Sequence, residues 1–568
     1  MEGLAVFLAV VLVFLTGILL AGARSAKISE EKKENSDVFW GEPFIIFFSW
    51  LLLFLSLGLL LIIDAKIAWL ILVFSLVLIL IFVLIIRMFK DDVNRLLLPI
   101  FLLIIAAVFL FIDLPVTRMG TLPQEPILDQ QESLGVSLKA AASSPQNIFL
   151  GSGIGTFNYD FSRFKSARFN QGDFWQIRFD RPGNSFTEIL ATAGSLGLLS
   201  YLFLLGLFFL ASWIFFRAKN QQGKLHLPFI MAFLALFAGQ FVYYQNTVLM
   251  FMFWLFLGLS MVGMKKDFGE LKYSFKSFPE MGLVFNVVLA VFLAGFLAIY
   301  FFAARFYFAD LAYVRALKEQ NREAQIKNLH EAVSLNPRQL PYLVSLSKVY
   351  LVKTLEEVNN IAESQNSIKV ACDFSLAVAY AKGQNVKKMC LFEGAPPEEE
   401  ITIKGVTQLY PESAAAFENL GFIYRELTPF ALDANKWAID AFLKTAELEP
   451  TNTVIRIELA KLLVIAERTE EAKKEFEKAF ELKPDYPDPE AFFQLGRLYY
   501  NGKQIDEAIL KFQQAILLSP NYANAHYALG LAYIQRGKKE LAIAEFEKVL
   551  TFNPDNQDVI DKIEELRK

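Results

Sequence analysis

Two hydrophobic rhythms divide the chain. Over residues 1–304 apolar side chains come in long unbroken runs, at 4–22, 43–63, 67–86, 96–114, 185–216, 226–243, 247–264 and 282–304. A helix needs ~20 apolar residues to cross the hydrocarbon core of a bilayer, and these eight runs reach or approach that length. From residue 305 onward the runs stop, Glu and Lys become frequent, and apolar positions recur at helical spacing. The expected fold is all-α: a polytopic bundle of about eight spanning helices over 1–304, then a helical solenoid over 305–568.

The second rhythm is a repeat. Prolines at 450, 484, 520 and 554 are spaced by 34, 36 and 34 residues, with earlier anchors at Pro337 and Pro411. In the unit ending at Pro520, Phe492, Leu495, Gly496, Tyr499, Ala508, Phe512 and Ala515 occupy fixed positions. Leu529, Gly530, Tyr533, Ala542 and Phe546 repeat them, as do Leu459, Ala460, Ala472, Phe476 and Ala479. Upstream, Phe417, Leu420, Gly421, Tyr424, Ala438 and Phe442 form a unit lengthened between its helices, and 306–411 carries degenerate copies with Leu346 and Tyr350. This period and spacing resemble the tetratricopeptide family, in which paired helices stack into a superhelix with a concave groove for a protein or peptide partner. The segment 558–568, charged on its outer positions, reads as the capping helix.

Lysine and arginine set the expected orientation. The short loops at 24–42, 87–95, 217–225 and 265–281 carry Arg24, Lys27, Lys32, Lys33, Arg87, Lys90, Arg95, Arg217, Lys219, Lys224, Lys265, Lys266, Lys272 and Lys276, whereas 64–66 and 244–246 carry Lys66 alone. Basic loops stay cytoplasmic, so the long loop 115–184 and everything after 304 are expected outside. The first run lacks a basic leader and has Glu2, which argues for a span, although Ala21-Gly22-Ala23 resembles a cleavage site.

The loop 115–184 changes character along its length. Its first part, 115–144, is polar and proline-containing, as a flexible segment is. From Phe149 it turns aromatic and basic: Arg163, Lys165, Arg168, Arg178 and Arg181 interleave with Phe157, Tyr159, Phe161, Phe164, Phe169, Phe174, Trp175 and Phe179. Two readings compete. Such a segment suits the headgroup region of a membrane, with aromatics anchored and arginines snorkelling. It equally suits a glycan diphosphate, because rings stack on sugars and guanidinium forks hold phosphate oxygens. Gly151, Gly153 and Gly155 follow no strand–helix unit, which excludes a dinucleotide fingerprint and leaves a tight turn with close backbone approach. The apolar run 185–216 is too long for one straight crossing; Gly194 and Gly197 divide it into a short helix starting near Asn184 and a true span. That helix start is expected to offer backbone N–H groups to an anion.

The run Leu150-Gly151-Ser152-Gly153-Ile154-Gly155, then Asn184, Gly194 and Gly197, resembles the O-antigen ligase and polymerase superfamily over residues 40–265. The resemblance implies a metal-independent transferase, with no cofactor, in the bacterial inner membrane. It would pass a glycan from an undecaprenyl-diphosphate carrier to an acceptor on the outer face. On that reading Arg178, Arg181, Asp180 and Glu188 are the catalytic candidates, Arg163, Arg168, Asn184, Gly151, Gly153 and Gly155 bind substrate, and Asn184 shapes the pocket. The family's histidine precedes the asparagine, where this chain has Gly183. His226, His330 and His526 lie elsewhere, so a base would have to be a carboxylate among Asp160, Asp173, Asp180 and Glu188. Glu188 also fits a plain helix-start acid favoured by the dipole. The alternative reading is a catalytically inactive, membrane-anchored tetratricopeptide scaffold.

Composition narrows the field further. A net charge of −4 excludes a general nucleic-acid binder, and two cysteines with three histidines build neither a zinc scaffold nor a disulfide framework. Cys372 and Cys390 are close enough in sequence for a bridge outside the cytoplasm, or are buried thiols.

Overall fold

The computed structural model describes residues 1–22, 41–90, 92–112, 125–218, 226–264, 279–359, 367–387, 400–431 and 433–568. Most basic residues of the short loops, and Cys390 with the side chain of Cys372, lie outside the described residues. The chain divides into two compact units: Met1–Ser166 with Gln176–Ser274, and Ala167–Trp175 with Phe275–Lys568.

The first unit is a helical bundle. Its helices are α1 (Glu2–Gly22), α2 (Gly41–Ile63), α3 (Lys66–Ile86), α4 (Leu97–Phe111), α5 (Gln130–Ala142), α6 (Pro145–Leu150), α7 (Phe157–Phe164), α8 (Ser185–Ala218), α9 (Leu227–Gly239) and α10 (Thr247–Met264). α1 packs against α2, α3 and α9, with Ala5, Ala9, Leu12 and Val13 sealed from solvent. Counting the span that opens the second unit, six described helices are long and apolar enough to cross a membrane, and α9 and α10 are shorter apolar helices.

Two expectations for the loop region need correcting. Residues 130–142 are not a flexible tether but the helix α5. The Asp129 carboxylate caps it by accepting from the N–H groups of Gln131 and Glu132. Ser133, Val136, Ser137 and Ala140 then form a small, buried stripe at helical spacing, packed on α8. The break in the long run 185–216 sits at Gly194 alone (φ 66°, ψ −167°), while Gly197 stays helical beside Ala193.

The second unit begins with α11 (Pro279–Lys318), one unbroken helix of 40 residues, about 60 Å at 1.5 Å per residue. The boundary expected at 304/305 falls inside it. Its apolar stretch over 283–302 is exposed, whereas its end pairs with α12 (Arg322–Leu335). There Ala312 and Ala316 are fully buried, and the Tyr342 hydroxyl donates to Asp310. α13 (Leu340–Asn359) and α14 (Ser367–Lys382) form the next pair.

Among the described residues, purely helical structure fails at one place. After Gly383 (φ 86°), β1 (Gln384–Lys387) pairs antiparallel with β2 (Glu400–Ile403), Gln384 opposite Ile403. The ribbon buries Val386 and Ile403 in the solenoid core, and the positive-φ glycine turns the chain out of the preceding helix.

The regular array follows α15 (Val406–Leu409): α16 (Ala414–Leu427) with α17 (Ala434–Leu448), α18 (Thr453–Ile465) with α19 (Thr469–Leu482), α20 (Pro489–Asn501) with α21 (Ile505–Leu518), and α22 (Ala523–Gln535) with α23 (Lys539–Phe552). The cap α24 (Gln557–Arg567) buries Val559 and Ile563. The same packing device recurs in three of these four pairs, with Ala460 taking the glycine position in the other. A methyl on Gly496 would stand 2.6 Å from the Phe512 ring, and one on Gly530 2.6 Å from Phe546. The absent side chain lets paired helices close on a buried phenylalanine.

Candidate functional site

In the first unit the polar side chains of the loop region converge on the start of α8. Asn184 caps that helix: its Oδ1 accepts from Thr187 N at 2.9 Å, and its Nδ2 donates to Gln130 Oε1 at 2.6 Å. Gln130 Nε2 donates in turn to the carbonyls of Gly183 and Val242, both at 3.2 Å. Gly183 N donates to Ser133 Oγ at 2.8 Å, and Ser185 N to the Gln240 carbonyl at 3.1 Å. Of the N–H groups around Gly183, Asn184 and Ser185 expected to face an anion, those of Gly183 and Ser185 are therefore already bonded within the protein, as is that of Thr187.

Gly183 has a structural reason. A Cβ at this position would collide with the Leu128 carbonyl and stand 3.0 Å from Gln130 Nε2. The position where the resembling family has histidine admits no side chain here.

Around this cap lie charged and aromatic groups. The Arg181 guanidinium lies 5.5 Å from the centre of the Tyr244 ring and donates to the Gln245 carbonyl at 3.4 Å. Asp180, strongly exposed, is 3.9 Å from Arg181, and Glu188 feels both charges. Tyr243 and Tyr244 both donate to the Glu125 carboxylate, Tyr243 at 2.9 Å. Gln240 and Gln245 line a small cavity with Val6, Tyr243, Tyr244 and Leu249, and each keeps a buried Nε2 without a hydrogen-bond partner.

The glycine turn serves the helix break. Gly151, Gly153 and Gly155 all have positive φ (72°, 116° and 76°). Ser152 N and Gly153 N donate to the carbonyls of Ala191 and Thr192 at 2.9 and 3.0 Å, taking up acceptors that the break at Gly194 leaves without helical donors. A Cβ on Gly194 would stand 2.6 Å from Gly151 N. Gly151 thus packs on α8, while Gly155 borders open space.

Asp160 forms a separate centre on α7. Ser152 Oγ donates to its Oδ2 at 2.5 Å. Burial raises its carboxyl to about 6, against the opposing pull of that hydrogen bond and of Arg163. Arg163 itself is exposed and lies over the Phe164 ring at 5.5 Å.

The structure thus brings together Arg181, Asp180, Glu188 and Asn184 of the expected residues. It places Arg163 with Asp160, and Arg178 half-buried with a partner of its own. Arg168 groups with the second unit, as part of Ala167–Trp175. Sequence reasoning missed Glu125, Gln130, Ser133, Gln240, Tyr243 and Tyr244. The signal for the last group was the polar aromatic run Tyr243-Tyr244-Gln245-Asn246 between two apolar segments.

In the second unit a groove opens between successive repeats. Phe493, Arg497, Tyr500 and Asn501 of α20 face Asn524, Tyr527 and Leu531 of α22 across it. The Arg497 guanidinium rests over Phe493 at 5.8 Å and donates to Gln494 Oε1 at 3.2 Å. Aromatic walls with one arginine and two side-chain amides suit an extended peptide bearing a carboxylate.

Comparison with known proteins bears on this unit. Residues 455–486, 496–537 and 523–556 match tetratricopeptide repeat families. The chain is 31% identical over 176 residues to RNA polymerase-associated protein CTR9 of Caenorhabditis elegans, across 29% of this chain and 14% of that protein. It is 25% identical over 195 residues to protein O-mannosyl-transferase TMTC3 of Homo sapiens, across 28% and 21%. It therefore spans about a fifth or less of the length of these curated relatives. Among solved structures it is similar to YrrB, "a TPR protein with an unusual peptide-binding site", at 20% identity over 41% of this chain and 96% of that one, with a TM-score of 0.29. The C-terminal part of the chain carries tetratricopeptide repeats.

Proposed function

We propose that the chain is a membrane-anchored tetratricopeptide scaffold of the cell envelope, with apolar helices that hold it in the bilayer and repeats that capture a protein or peptide partner outside the cytoplasm. The carrying observation is the groove between α20 and α22, where Arg497, Asn501 and Asn524 offer polar donors between aromatic walls. The long apolar runs support the anchor, and the 14 basic residues of alternate short loops support an external repeat domain. The exposed apolar stretch of α11 suits lipid as its surroundings.

Selection of displayed random peptides on the full chain in lipid nanodiscs tests this reading. It predicts enrichment of sequences with acidic residues, bound about tenfold less well by Arg497→Ala. Equal recovery on the wild type and the variant would refute it.

A second reading keeps the first unit as a glycan transferase acting on a lipid diphosphate. What favours it is the polar cluster of Arg181, Asp180, Glu188 and Asn184 beside buried, unpartnered amides of Gln240 and Gln245. What weighs against it is Gly183, where no imidazole fits. Transfer from a purified undecaprenyl-diphosphate donor that Arg181→Ala abolishes would establish this second reading.

A further inference from the structure

Residues Ala167–Trp175 follow Ser166 and precede Gln176 of the first unit, yet they group with the repeats. A buried asparagine is one of their anchors there. Asn170 is 1% exposed; its Nδ2 donates to the Thr451 carbonyl at 2.8 Å and lies 3.4 Å from Thr453 Oγ1. Its backbone carbonyl accepts from Lys483 Nζ at 3.0 Å. The same ammonium lies 5.0 Å from the centre of the Trp175 ring, whose edge meets Tyr486 at 6.0 Å and 73°. One lysine therefore grips both ends of the stretch 170–175.

The receiving surface is braced from within the repeats. It consists of two successive inter-repeat turns, the one before α18 and the one after α19. Buried Arg456 braces the first turn, donating to the Pro450 carbonyl from Nε and Nη2 at 3.0 and 2.7 Å and pairing with Glu475 at 2.6 Å. Asp485 steadies Lys483 at 3.2 Å. The repeat fold does not call for that lysine. At the matching helix ends, α17, α21 and α23 close on Glu449, Ser519 and Asn553. A mostly buried ammonium is unfavourable unless partners receive it, and here the partners include the Asn170 carbonyl and the Trp175 face.

We propose that these two turns are a recognition site whose ligand is the chain's own segment Ala167–Trp175, read as an asparagine followed five residues later by tryptophan. The repeats thereby hold a stretch of the aromatic, basic loop in cis. The site is separate from the groove at Arg497, so the proposal stands or falls independently of the peptide reading.

Hydrogen exchange followed by mass spectrometry on the full chain in nanodiscs tests it, on the wild type, Lys483→Met, Asn170→Ala and the double variant. Either single change should speed exchange across Ala167–Trp175 at least about tenfold. The double variant should exceed neither single by much, because each alone releases the segment. Asn170→Ala alters no residue of the repeats, so it decides the matter should Lys483→Met disturb the array. Equal exchange in the wild type and Asn170→Ala, or full additivity of the two changes, would overturn the proposal.

Discussion

The repeats and the apolar bundle obey different rules, and the contrast explains why one half reads so much more clearly than the other. In the repeats, water surrounds every helix pair, so each pair must hide the same face in the same way. Gly421, Gly496 and Gly530 therefore all meet a phenylalanine of the partner helix, and Ala438, Ala472, Ala508 and Ala542 are all fully buried. On the proposed membrane anchoring, the bundle meets lipid as apolar as its side chains, so burial leaves little periodic mark on the sequence. Fold there rests on single contacts instead, such as Gly151 against Gly194 and Gly183 against Leu128.

That contrast can be broken by substitution. Gly194→Val should have the largest effect, above about 4 kcal/mol, because it joins a positive φ to a backbone collision. Loss of the chain from membranes by quantitative immunoblot is the expected outcome; normal recovery would mean that single contacts do not govern the bundle. Phe512→Ala should remove about 3–5 kcal/mol from the repeats. Denaturant unfolding should show the repeats melting earlier, with the loss spreading to neighbouring pairs.

Smaller effects sharpen the picture. Asn184→Ala removes the cap of α8 and the Gln130 hydrogen bond, and should lower stability by about 1–2 kcal/mol in thermal unfolding. Asp160 supplies the pH test. Burial raises its carboxyl from 3.8 to about 6, so its favourable contribution is complete below 3.8 and is lost as the pH rises through about 6. The first unit should therefore lose stability across that interval, and Asp160→Asn should flatten the slope.

The legibility of each region follows from the same physics. Proline spacing and the Gly–Phe pattern located the repeats from Phe417 onward, because a 34-residue period imposes its own boundaries. The ribbon of Gln384–Lys387 and Glu400–Ile403 was invisible, since four-residue strands carry too little pattern to stand out among degenerate helices. The excess length of the apolar run and its two glycines marked a break near Gly194, but hydropathy did not mark the helix α5, whose buried stripe is mostly serine and alanine and so looks polar. In the candidate site, Arg181, Asp180, Glu188 and Asn184 were legible because they lie close together in the sequence. Glu125, Gln130 and Tyr244 were not, because their convergence is made by tertiary structure across more than 100 residues.

The central claim is that the repeats, rather than the loop cluster, perform the chain's binding work. Its most direct test is the affinity of an acidic peptide, selected on the wild-type chain in nanodiscs, for three proteins: wild type, Arg497→Ala and Arg181→Ala. The account predicts about tenfold weaker binding by Arg497→Ala and wild-type binding by Arg181→Ala. Loss of binding in Arg181→Ala with no change in Arg497→Ala would contradict it.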